Sequence, residues 1–264
     1  MENVNKFFGY PEFNAAGEKI LTTYTNEYKD MLMDIRVYRM SAGESRRFLR
    51  ASEEMAVLLL AGEVLFQYEG KETIAERQDV FTDGPWCLHI CNNREIVIKA
   101  LEGSEILVQC THNDRKFETK VYGPQQVLWN YSSLGKFGGV AQRRVNTIFD
   151  HDIAPYSNMV LGEVLNDRGN WSGYPPHRHP QPETYYFKFD RPEGFGASFV
   201  GEQVFKSTDG SFSAIPGGLL HPQAVAPGFQ MYTCWMIRHL DGNPWLQTDR
   251  CEDRKYAWLH DAKF

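Results

Sequence analysis

Long apolar runs are missing from this chain. The longest plainly aliphatic stretch, Ala56 to Ala61, is far too short to span a bilayer, so no membrane partner is expected. The opening residues, Met1 to Gly9, hold no apolar core of signal-peptide length, which points to the cytoplasm. Cysteine is scarce and odd in number: Cys87, Cys91, Cys110, Cys234 and Cys251. Cys87 and Cys91 have no second Cys pair to complete a zinc site, so all five read as reduced thiols. Basic excess is lacking too. A net charge of -6 argues against a nucleic-acid partner, although a few local Arg or Lys could still receive a small acidic molecule. No GxGxxG, P-loop or Ser/Cys nucleophile motif occurs.

What is present is hydrophobic and short-ranged. The 264 residues are 42% hydrophobic and 14% aromatic, enough for two domains with their own cores. Helical periodicity is scarce. β-rich runs bounded by Gly, Pro, Asn and Asp occupy 34–40, 55–60, 63–68, 95–100 and 106–110, then 159–165, 184–189, 212–215 and 231–237. Such spacing predicts an all-β sandwich or barrel. Tyr131 to Gly139 is the best linker candidate, giving domains at 1–130 and 140–264. A weak echo crosses that linker: Glu54 heads a hydrophobic strand as Glu183 does, and Val80 to Pro85 lies where the second half has Ala214 to Gly218. The copies differ in chemistry. Arg46-Arg47-Phe48-Leu49-Arg50 stands where the second half has a His pair, so the first is expected to lack metal ligands and to serve as scaffold or dimer surface.

The chemistry concentrates after residue 170. His177-x-His179-x₃-Glu183 places two imidazoles on one face of an extended segment, because side chains alternate with period two. Pro180 and Pro182 then break the strand before Glu183 opens the next, and an antiparallel return can bring its carboxylate alongside. Gly210-x₅-Pro216-x-Gly218-x₂-His221 follows, where the Gly217-Gly218 turn can re-aim the chain so that His221 enters the same cavity. Three imidazoles and a carboxylate suit one divalent metal ion, Zn, Mn, Fe, Co or Ni, with positions left open for water or substrate.

These two segments resemble the paired cupin motifs, with Val225 where the second motif usually ends in Asn. A narrower likeness, to the 5-deoxy-glucuronate isomerases of inositol catabolism, is carried by Gly169-Asn170-Trp171-Ser172-Gly173-Tyr174-Pro175-Pro176-His177-Arg178-His179. Glu183-Thr184-Tyr185-Tyr186, Pro192-Glu193-Gly194-Phe195, Ala226-Pro227-Gly228-Phe229, Leu60-Ala61-Gly62-Glu63 and Arg77-x-Asp79-Val80-Phe81 belong to the same likeness. Only three residues separate His179 from Glu183, where that family usually carries a longer acidic insertion. The ketol-isomerases of pectin degradation share the ligand arrangement more loosely.

The resemblance implies an all-β bicupin, two tandem jelly-roll barrels, acting as an aldose–ketose isomerase on a small sugar acid of the uronate type. A homo-oligomer, dimer or larger, is expected. Proton transfer points first to Glu163, which interrupts an apolar strand, then to Tyr174 and Tyr185. A substrate carboxylate needs a cation, for which Arg168, Lys188, Arg143 and Arg144 are candidates, and Gln223 shares the expected face of His221. Metal-dependent dioxygenation and non-catalytic sugar binding remain open alternatives, the former disfavoured by the isomerase-like Asn170-Trp171-Ser172. His89 reads as structural, and Tyr232, Trp235, Trp245 and Trp258 as packing.

Overall fold

The structure, a computed structural model, describes residues 5–262. Among these, regular structure is strand throughout, with helical geometry confined to 3-10 segments such as Lys29–Met31 and Arg254–His260. No helix among them is long and apolar enough to cross a membrane. All five cysteines are free, four of them buried. The chain forms two compact all-β units, the bicupin architecture that the resemblance implies.

The first unit comprises Pro11–Leu128 and Ile153–Asn158. Its spine is one 16-residue strand, Glu53–Tyr68, where the sequence suggests two shorter ones. The first half of this strand pairs with Trp86–Ile90 and Ser104–His112, the second half with Lys71–Arg77 and Glu95–Ala100. Gly62 bends the strand instead of ending it. Its φ is +98°, and an added Cβ would lie 2.4 Å from Ser104 Oγ and 2.5 Å from the Gly103 carbonyl oxygen. Met55, Val57 and Leu59 point inward with Phe48, Val64, Phe66 and Ile98, so an apolar plug fills this interior. Each such side chain contributes roughly 1.5–3 kcal/mol by leaving water.

The second unit takes the rest of the described chain. Its larger sheet runs in the order Phe8–Gly9, Phe212–Ile215, Glu183–Phe189, Met231–Arg238, Met159–Asn166, Arg143–Phe149, Asn130–Ser132. A second sheet holds Trp171–Ser172, Gln223–Val225, Phe195–Val200 and Gln203–Thr208, and His177–Arg178 pairs separately with Cys251–Glu252. The core mixes Phe187, Phe189, Val200, Ile215 and Val225 from the two sheets.

Three boundaries differ from expectation. Residues 131–139 are not a free linker: Tyr131 pairs with Arg144, and Lys136–Gly139 forms a 3-10 turn inside the second unit. The N-terminal strand Phe8–Gly9 also joins that unit, pairing with Ser213 and Phe212 while Phe8 stacks on Phe187 and Phe205. Conversely, Ile153–Asn158 belongs to the first, because Ser157 Oγ and Asn158 N donate to the fully buried Glu54 at 3.0 and 2.5 Å. In each case long-range pairing overrides a boundary drawn from local composition. Gly62→Ala is expected to cost at least about 2 kcal/mol, lowering the thermal midpoint by roughly 4–8 °C. Scanning calorimetry checks this, and an unchanged midpoint would mean the bend has no need of glycine.

Candidate metal centre

A cavity of about 150 Å³ opens among the strands of the second unit. Alternation along Glu183–Phe189 turns Glu183 and Tyr185 toward it, and Gln223, Ser172 and Arg143 reach it from three further strands. The two motif loops are stitched together. Gly218 N donates to His179 O at 2.7 Å, and a Cβ on Gly217 would lie 1.8 Å from Pro180 O. Only a glycine there lets the His221 loop close against the His179 loop. Prolines 180 and 182 end the first segment, and Arg238 N donates to Pro182 O, so Glu183 starts its strand beside the imidazoles.

His179 Nε2 stands 3.2 Å and His221 Nε2 3.3 Å from the same Glu183 oxygen, Oε2. The ligand-type atoms of these three residues all lie within 4.8 Å of one another. His177 is buried beside them, its ring centroid 5.0 Å from that of His221.

Proton positions follow from the outer partners. His177 Nδ1 faces Pro175 O at 3.1 Å, His179 Nδ1 faces Gln181 O at 3.0 Å and His221 Nδ1 faces Leu219 O at 2.8 Å. A carbonyl oxygen only accepts, so each Nδ1 carries the proton and each Nε2 presents a lone pair. His221 Nε2 is buried with no hydrogen-bond partner. Two lone pairs facing a carboxylate oxygen repel unless a positive charge lies between them. The donor set therefore fits a cation, and backbone carbonyls fixing the outer nitrogens is the arrangement metal-binding histidines use.

Burial keeps the His177 and His221 imidazoles neutral. His177 is pushed down to about 2, first by burial and then by His221 and Arg250. Burial also lowers His221. For Glu183 burial works upward, but its close contacts with His179 and His221 and the charge of Arg250 outweigh it and hold the carboxyl below its ordinary value. Tyr185 is held well above its usual range by burial and by the negative charge of Glu183. Burial, with the neighbouring Arg250, brings Arg143 down to about 10.

Several expected site residues lie elsewhere. Glu163 does not face the cavity: alternation turns Val164 inward and buries Glu163 on the opposite face, accepting from Tyr232 Oη at 2.7 Å and Asn146 Nδ2 at 3.0 Å. Lys188 is turned away by the same alternation, opposite to Tyr185 and Phe187. Arg168 is exposed and paired with Asp190 at 3.0 Å. Tyr174 packs against Phe137 and Trp171 in an outer groove, because the chain turns between it and His177. Arg144 lies over the Trp129 ring. Tyr185, Gln223 and Arg143 do line the cavity. So do Trp245, Gln247 and Arg250, which sequence reasoning missed. They arrive on the C-terminal segment, where Cys251–Glu252 pairs with His177–Arg178. No spacing rule announces so short a long-range pairing; the aromatic Trp245, read as packing, was the available signal.

A model of the KduI/IolB family matches residues 9–259. The 5-deoxy-glucuronate isomerase of Geobacillus thermodenitrificans is 24% identical over 241 residues, 81% of this chain and 86% of that protein. The enzyme of the same name from Bacillus subtilis is 25% identical, covering 83% and 86%. Among solved structures, an IolB-like protein from Salmonella typhimurium superposes with a TM-score of 0.84 at 18% identity, over 96% of this chain and 99% of its own. Bacillus subtilis oxalate decarboxylase gives 0.64 at 11% identity, over 90% and 78%. At such identities the structural likeness concerns the fold alone.

The depressed value of His177 carries a stability consequence. Below the unfolded value of about 6.5, the unfolded chain takes up a proton that folded His177 refuses until about 2. Metal-free protein should therefore lose stability as pH falls through this window, by up to about 1.4 kcal/mol per unit from this residue. In chelator-treated samples between pH 7 and 5, the thermal midpoint of His177→Ala is expected to fall less than that of the wild type. Parallel curves would contradict a neutral His177.

Proposed function

The chain belongs to the KduI/IolB family, and from that membership and the buried imidazole–carboxylate cluster we propose that it is a metal-dependent aldose–ketose isomerase of a deoxy-uronate sugar. The relatives' name supports 5-deoxy-glucuronate as substrate, with 2-deoxy-5-keto-gluconate as product in myo-inositol catabolism. The reading keeps a cytoplasmic homo-oligomer.

The observation that carries it is the convergence of the His179 and His221 Nε2 lone pairs on Glu183 Oε2 at 3.2 and 3.3 Å. His177 completes the set, and the mixture of neutral nitrogen and anionic oxygen suits Zn, Mn, Fe, Co or Ni. When bound, such an ion supplies Lewis acidity toward the carbonyl and neighbouring hydroxyl of an open-chain sugar.

The chain's own residues supply the rest. Isomerisation moves one hydrogen from the hydroxyl-bearing carbon to the aldehyde carbon and one proton between their oxygens, so no external oxidant or reductant is consumed. Tyr185 keeps its proton at neutral pH and lines the cavity, so it serves as donor to a substrate oxygen rather than as the initial base. The Gln223 carboxamide, which accepts from Thr233 Oγ1 at 3.5 Å, offers further hydrogen bonding to a hydroxyl. Val145, Val164, Trp235 and Trp245 form apolar walls that limit water around the reacting carbons.

Purified protein is expected to carry about one metal per chain and to convert 5-deoxy-glucuronate to the ketose without oxygen or nicotinamide, as followed by NMR. His221→Ala should lose most of the metal and the turnover. Tyr185→Phe should keep the metal and lose about 10²–10⁴ in kcat. Far-UV circular dichroism should survive chelation, since each unit has its own apolar core. Full turnover after chelation, or oxygen uptake in place of isomerisation, would overturn the reading.

A further inference from the structure

The cavity carries more positive charge than its cluster explains. Among the described residues Glu183 is the one carboxylate that lines it, and that group already faces the imidazoles. Two guanidiniums line it as well, Arg143 and Arg250. Arg143 is only 6% exposed. Its NH1 donates to Ala141 O at 2.9 Å and to Ser133 Oγ at 3.3 Å, both uncharged acceptors. Among the described residues neither Arg143 nor Arg250 has an acidic side chain at ion-pair distance. A buried guanidinium without a counter-ion is costly, and the cost falls when a ligand brings the anion.

Arg250 differs from Arg143 in how it reaches the site. It follows the 3-10 turn Gln247–Asp249 and precedes Cys251–Glu252, the short strand paired with His177–Arg178. Asp253 N donates to Pro176 O at 3.1 Å, so the C-terminal segment is pinned on both sides of the His177 strand. The Arg250 guanidinium lies over Trp245, 5.9 Å from the ring centroid, and is exposed enough to meet an incoming anion. It lines the same cavity as Arg143, His177 and Glu183.

We propose that Arg143 and Arg250 form a clamp for the carboxylate of a sugar acid, with Arg250 as the residue that separates acids from neutral sugars. This rests on the reading of the cavity as a sugar-acid site. Planar forks meet a carboxylate two bonds at a time, whereas a neutral hydroxymethyl group offers no charge and one oxygen.

The test uses metal-loaded full-length protein and two six-carbon probes that cannot be isomerised, D-gluconate and its neutral counterpart D-sorbitol, in titration calorimetry. Wild type is expected to bind gluconate at least about tenfold more tightly than sorbitol. Arg250→Gln should lose about tenfold or more for gluconate and leave sorbitol unchanged, with metal content retained. Arg250→Lys, which keeps the charge without the fork, should fall between. Unchanged gluconate affinity in Arg250→Gln overturns the clamp. Equal loss for both probes also overturns it, since the residue would then only hold the segment in place. Turnover of 5-deoxy-glucuronate by wild type separates the two ideas. Turnover with an unaltered KM in Arg250→Gln sinks the clamp and leaves the isomerase. No wild-type turnover, with acid selectivity lost in Arg250→Gln, sinks the isomerase and leaves the clamp.

Discussion

Three hydrogen bonds from imidazole Nδ1 to backbone carbonyls decide what the second unit can do. Each ring is held by an oxygen two residues away along the chain: Pro175 for His177, Gln181 for His179, Leu219 for His221. These bonds fix the tautomer and aim every Nε2 lone pair inward. Were the rings free to turn, His179 or His221 could present N–H to Glu183 and close an ordinary buried pair. With the outer nitrogens committed, the inner Nε2 atoms and the Glu183 carboxylate are all acceptors, a set that fits a cation.

The aim depends on packing that is itself unspecific. The Gly217 approach to Pro180, the bond from Gly218 to His179 and the strand pairing of His177–Arg178 bring three loops to one place. None of these contacts is chemically unusual. What they achieve is to keep four polar side chains in a low-dielectric setting, where His177 and His221 stay neutral and the Glu183 carboxyl is held low. The interior of the first unit is an apolar plug without that burden. Met55, Val57 and Leu59 fill its interior, and that plug is held by apolar burial.

Much of this was legible in the residues. Alternation and turn signals located strands such as Asp34–Met40, Glu95–Ala100 and Phe212–Ile215 with their observed bounds. The spacing of His177, His179, Glu183 and His221 selected side chains that the fold brings to one cavity region. Strand parity was harder to read. Glu163 interrupts an apolar strand, which suggests a functional face, yet counting by twos from Val160 and Val164 assigns it to the other side. Periodicity fixes which residues share a face but not which face is inside; that is settled by the partner sheet. Arg250 was illegible for a different reason. Its place depends on a two-residue pairing with a strand more than seventy positions away, and no local pattern encodes that.

Parity also explains why the halves of the chain, echoing each other in sequence, differ in chemistry. Glu54 and His89 stand roughly where Glu183 and His221 stand in the second half, and they do meet, at 3.0 Å. They meet on the outer face, because Met55 and Leu88 turn inward beside them. There Glu54 also receives Ser157 Oγ and Asn158 N, and Asn158 Nδ2 donates to His112 O. That carboxylate is surrounded by donors and is satisfied as it stands, a clasp for the segment Ile153–Asn158. Glu183 is met instead by two acceptors. A glutamate and a histidine close together are thus no sign of a metal site by themselves. The sign is whether the outer hydrogen bonds leave the inner atoms as donors or as lone pairs, and a shift of one residue along a strand is enough to change the answer.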